Sequence, residues 1–138
     1  MTTATQDTTE AAPATTVEVP TAAIALQAGE HYAGLVLDRN TGQPLHHLIL
    51  LPQQGTDLEW ASAKAWAEEV GGDLPTRQEQ ALLVANCKPH LRPRWHWSSE
   101  TYEEDASYAW LCGFNVGYQN LSHESFQACA VSVRRVAA

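Results

Sequence analysis

Residues 60–83, WASAKAWAEEVGGDLPTRQEQALL, decide how this chain is read, because they set two helices back to back with the signals that end one and start the next. Trp60, Ala63, Ala67 and Val70 share one helical face, and Gly71-Gly72 offers the left-handed residue on which a helix ends. Thr56 or Asp57 is the expected cap at its start. Thr76-Arg77-Gln78-Glu79 is a capping box with Pro75 ahead of it, and Ala81, Leu82 and Ala85 form the expected buried stripe of the second helix. That helix should stop near Cys87 or Lys88, since Pro89 disfavours helical backbone in the residue before it.

Outward from this block the apolar period changes to two. His31 to Asp38 and Leu45 to Leu51 read as a hairpin joined by the turn residues RNTGQP. Leu45, Ile49 and Leu51 face one way and Leu48 and Leu50 the other, as in a strand covered on both sides. His46 and His47 point to opposite faces and so cannot hold one metal together. On the C-terminal side, the stretch from Trp95, then Tyr108 to Cys112 and Ala128 to Val136, read as strands, with a polar loop between the last two. The expected fold is α+β: an N-terminal hairpin, two helices, then a C-terminal antiparallel sheet. Trp60, Trp97 and Trp110 fall where such a core needs bulk.

The chain has 138 residues, enough for one core and too few for two full-size domains. Residues 1–23 are rich in Thr, Ala and Pro and carry no aromatic side chain, so a flexible arm is expected there and a single domain over 24–138. Neither a signal peptide nor a membrane span is legible, and a soluble, intracellular protein is expected. The formal charge is −8, which repels phosphate backbones and argues against direct nucleic-acid binding. It suits a basic protein partner, or simple solubility. Cys87, Cys112 and Cys129 form no CxxC pair and read as buried, reduced thiols.

The segments WASAKAWAEEVGGDLPTRQEQALL, WHWSSE, YAWLCGFNVGYQ and ACAVSVRRV, in that order over about residues 31–136, resemble the Lcl C-terminal-like domain of uncharacterised bacterial and phage proteins. The resemblance implies a C-type-lectin-like fold, shared with sulfatase-modifying enzymes and with the variable proteins of diversity-generating retroelements, and a phage or prophage accessory role, in the cytoplasm of a bacterial host or, alternatively, on a virion surface. It implies a fold more firmly than a function, because one fold hosts many sites.

Catalysis finds little support in the residues. The close cysteine pair of the sulfatase-modifying relatives is missing, and a Cys112–His123 pairing is one any chain with three Cys and six His allows. The calcium motifs of the lectins are also missing, and His90 and His96 have no further ligands at zinc spacing, so no cofactor or metal is expected. The binding surface is expected in the loop after residue 113, where Phe114, Asn115, Tyr118, Gln119, Asn120, His123 and Glu124 mix rings, amides and small polar groups as paratopes do. Glu103, Glu104 and Asp105 add negative charge to that set, although a solvated turn is the ordinary reading of such a run. Arg92, Arg94, Arg134 and Arg135 read equally as ligand contacts or as structural partners of acids such as Glu79 or Glu100. The expected function is non-enzymatic: binding a host protein, for instance to inhibit a defence complex such as a CRISPR effector. The alternative is a carbohydrate or host-surface receptor-binding module.

Overall fold

A computed structural model describes residues 16–138 of the chain. Two helices and six strands follow in the order β1 (His31–Leu37), β2 (Pro44–Leu58), α1 (Trp60–Glu69), α2 (Arg77–Cys87), β3 (Trp95–Tyr102), β4 (Asp105–Gly113), β5 (Tyr118–His123) and β6 (Ala128–Ala137). The architecture is α+β, as expected, but the strands form one six-stranded sheet in the order β1-β2-β6-β3-β4-β5. The expected separation into a hairpin and a purely antiparallel C-terminal sheet is therefore corrected. The last strand inserts between β2 and β3, pairing antiparallel with β2 and parallel with β3 through His96 and Cys129, which makes the sheet mixed.

The helices cover opposite faces. Alternation along β6 sends Val131 and Val133 into a cluster with Leu83 and Cys87 of α2, Leu48, Leu50, Cys112 and Phe114. Ala128 and Ala130, one step out of phase, meet Ala63 and Ala67 of α1 with Leu74, Trp97 and Leu111. Both faces of β2 are buried through Leu48, Ile49, Leu50 and Leu51, in line with the two-sided apolar pattern, but Leu45, near the start of the strand, is exposed. Trp97 is fully buried and its indole N–H donates to the Leu58 carbonyl at 2.8 Å. Trp60 and Trp110, both expected in the core, are only half-buried.

The start of α1 departs from expectation. Strand β2 runs through Thr56 and Asp57 to Leu58, so neither residue caps the helix, and Asp57 takes a left-handed φ of 55° instead. The N-cap is Glu59 with no side-chain bond, and the Trp60 N–H donates at 3.0 Å to the carbonyl of Glu124, a tertiary substitute for a local cap. The end behaves as read: Gly71 has φ 104°. Its neighbour Gly72 lies so near the Val133 carbonyl that a Cβ there would collide with it. The capping box of α2 is complete, with Glu79 N–H donating to Thr76 Oγ1 at 3.1 Å and Thr76 N–H to Glu79 Oε1 at 2.9 Å. Its fully buried stripe is Glu79, Gln80, Leu83 and Cys87, because two core-facing positions are polar; of the expected Ala81, Leu82 and Ala85, Leu82 packs half-buried against the core and the two alanines are exposed. Residues 1–15 of the expected arm lie outside the described residues. Farther along, Pro20, Ala22, Ile24 and Leu26 line a hollow of about 270 Å³ with Tyr32 and His47.

Candidate functional site

The region expected to be a loop is a tight turn followed by an edge strand. Residues 114–117 turn the chain, and β5 then pairs with β4 in unbroken register from Gly113–Tyr118 to Tyr108–His123. Alternation sends Tyr118, Asn120 and Ser122 to the α1 face and Gln119, Leu121 and His123 to the α2 face. Tyr118 is 64 % exposed, and its ring lies 6.4 Å from that of Trp95. Phe126, 45 % exposed, stands edge-on to Trp97 at 6.4 Å. Beside Trp95 runs a groove of about 190 Å³ lined by Trp95, Leu111, Asn120, Leu121, Ser122 and Phe126. A neighbouring hollow of about 270 Å³ shares Trp95 and Phe126 and adds Asp57, Arg94 and Gln127. Aromatic faces with a polar rim have the chemistry to cover an apolar ring and to trade amide hydrogen bonds.

The ten residues singled out from sequence do not form one patch. Phe114 is corrected outright: it is 1 % exposed and its ring stacks on His96 at 4.1 Å, so it serves the core. Asn115 caps the turn through Val116 N–H, and Asn120 accepts from Leu121 N–H. Gln119 braces Arg77, accepting from its Nε at 2.9 Å and donating to its carbonyl at 2.9 Å. His123 Nδ1 bonds the Ser125 hydroxyl, and Glu124 lends its carbonyl to the start of α1. Glu103 and Glu104 are exposed at the two-residue turn between β3 and β4. Asp105 accepts from the hydroxyl and backbone N–H of Ser107, which with the nearby His123 hold its carboxyl below the ordinary range. That acidic turn lies at the far end of the β4–β5 hairpin from Tyr118, roughly 27 Å along the strand at 3.4 Å per residue.

The nucleophile pairing does not assemble. Cys112 stands opposite Gln119, four residues along β5 from His123. All three thiols are free and buried, and burial pushes Cys112 up to about 11. The register does set a different imidazole, His96, between Cys112 and Cys129 on neighbouring strands. His96 is fully buried; its Nδ1 donates to the Arg94 carbonyl at 2.8 Å, while its Nε2 and the Oε1 of Gln80 have no partner among the described residues. Burial pushes this imidazole down to about 4; the bond to the Arg94 carbonyl opposes the shift and the charges of Arg92 and Arg94 add to it. Among the described residues no three His, Cys, Asp or Glu side chains converge to hold a metal ion.

The densest polar cluster was only partly legible. Glu79, with its side chain 1 % exposed, receives Nε of Arg135 at 2.7 Å, Nη2 of Arg135 at 2.8 Å and Nε2 of His46 at 2.6 Å. Burial alone would raise its carboxyl, but Arg135, Thr76 and His46 together hold it below the ordinary carboxylate range. The Arg135–Glu79 pairing is one the sequence had offered; the part of His46 had no local signal. Arg134 likewise clamps Glu30 through two bonds of 3.0 and 2.8 Å. No helix among the described residues is long and apolar enough to cross a membrane. No protein-family model matches this chain, and no curated protein matches it.

Proposed function

We propose that this chain is a non-enzymatic binding module, a phage or prophage accessory protein with a C-type-lectin-like domain, that grips a host protein through the surface of Trp95, Tyr118 and Phe126. The observation that carries the reading is a pair of exposed rings joined through Trp95: Tyr118, 64 % exposed, lies against Trp95, and Trp95 lines a groove together with Phe126, 45 % exposed. Large exposed apolar side chains gathered around a concavity are what contact surfaces present, and tyrosine anchors dominate their energetics. The net charge of −8 favours a partner with a basic surface and would speed the encounter. An inhibitor covering a basic groove of a defence complex is the concrete form. The lectin-like fold rests on the resemblance and is supported by the return of the last strand beside the early hairpin.

The test is affinity capture from host lysate with wild-type and Tyr118→Ala protein, followed by titration of any captured protein in purified form. A partner whose affinity drops at least tenfold with Tyr118→Ala is the expected result. Equal capture by both proteins would contradict the assigned surface, and glycan-array binding without a protein partner would favour the carbohydrate reading.

A further inference from the structure

A second surface lies on the other face of the sheet, where α2 meets the edge strand β1. Two hollows adjoin there and share Gln78 and Ala81. One, of about 330 Å³, is apolar, lined by Leu35, Val36, Leu37, Leu82 and Ala85. The other, of about 300 Å³, is cationic, lined by Arg39, Arg77 and Gln119. Arg77 is held rigidly: its guanidinium lies 3.6 Å over the Trp110 ring and its Nε is fixed by Gln119. Neither Arg77 nor Arg39 has an ion pair among the described residues, although the chain carries 16 acids against 8 bases. The nearby Glu100 carboxylate is engaged by the Arg77 backbone N–H at 2.8 Å rather than by the guanidinium.

We propose that this composite groove binds a partner peptide segment that carries a carboxylate next to apolar side chains. A preorganised guanidinium with free donors recognises a carboxylate, the leucine-lined hollow takes the adjoining side chains, and Leu37, 41 % exposed, marks the uncovered apolar wall. A peptide fits better than an acyl chain, because Gln78, an amide that suits a peptide backbone, lines both hollows; the Ala33 and Leu37 carbonyls of β1 are already taken by Asn86 and Gln78, so recognition runs through side chains and the carboxylate. The site goes beyond the Tyr118 surface and stands without it, since the two lie on opposite faces of the sheet.

Fluorescence anisotropy of the full chain with three labelled peptides tests this: Gly-Ser-Leu-Leu-Leu with a free C-terminus, its amidated twin, and amidated Gly-Ser-Leu-Leu-Glu. At least one carboxylate-bearing peptide is expected to bind at least tenfold more tightly than the neutral twin; which one does so separates a chain terminus from an acidic side chain as the source. Arg77→Gln should weaken that binding at least tenfold, and Arg92→Gln should leave it unchanged. Should Arg77→Gln fail to fold, Arg39→Gln serves in its place with a smaller loss in the same direction. No binding by either carboxylated peptide, equal binding of the neutral twin, or indifference to both arginine substitutions would overturn the proposal. So would binding of octanoate with no peptide bound.

Discussion

Arg135 and Arg77 meet the first turn of the same helix and live in opposite circumstances. Arg135 spends its donors on Glu79, Asp73 and the Leu74 carbonyl, and Glu79 is closed off from water by the arrangement. Arg77 is held by a ring and an amide, which fix its position without neutralising its charge. A saturated charge holds the fold together; a positioned but unsaturated one is what a ligand can use. The same contrast separates Trp97, buried with its N–H satisfied, from Tyr118, a ring with most of its surface in water.

The largest effect that sharpens this comparison is expected from Glu79→Ala, which takes from Arg135 its two shortest bonds, leaving it Asp73 and the Leu74 carbonyl, and opens the capping box. We expect a loss of about 3–5 kcal/mol in denaturant unfolding. Acidification should expose the next largest. The folded His96 imidazole sits at about 4 against 6.5 unfolded, so the unfolded state binds more protons between those values. Stability is therefore full above pH 6.5 and falls on the order of 3 kcal/mol as the pH drops to about 4. Glu79, held below its ordinary value, keeps its contribution above about pH 4.5 and loses it as the pH falls further, giving a second acid phase. Unfolding of His96→Leu at stepped pH should lack the first phase and retain the second. Thr76→Ala, which removes one cap bond, should cost about 1 kcal/mol. Tyr118→Ala should change stability least, within about 0.5 kcal/mol, while weakening partner binding at least tenfold.

What could be read from the sequence was local. The Thr76–Glu79 box, the helix stop at Gly71 and the two-sided burial of β2 each depend on a few adjacent residues and stand in the structure as expected. The rest depends on distant partners. Strand β5, Tyr-Gln-Asn-Leu-Ser-His, has no apolar alternation because it is an edge strand with little to bury, so it read as loop. Phe114 read as surface because it borders that segment, yet His96, on another strand, draws it inward. Trp110 read as core, but its ring is covered by a guanidinium from α2. Within the candidate sites, Tyr118 was legible as an exposed aromatic beside glycine. Arg77 was legible only as a member of a capping box, since the two side chains that define its role, Trp110 and Gln119, are more than thirty residues away.

The most direct measurement is urea unfolding of Arg135→Gln and Arg77→Gln side by side at neutral pH. Arg135→Gln should lose about 3 kcal/mol or more, because Glu79 is left buried without its main counter-charge, whereas Arg77→Gln should lose no more than about 1 kcal/mol. Equal losses, or a larger loss for Arg77→Gln, would contradict the division between a charge that builds the fold and a charge kept for a ligand.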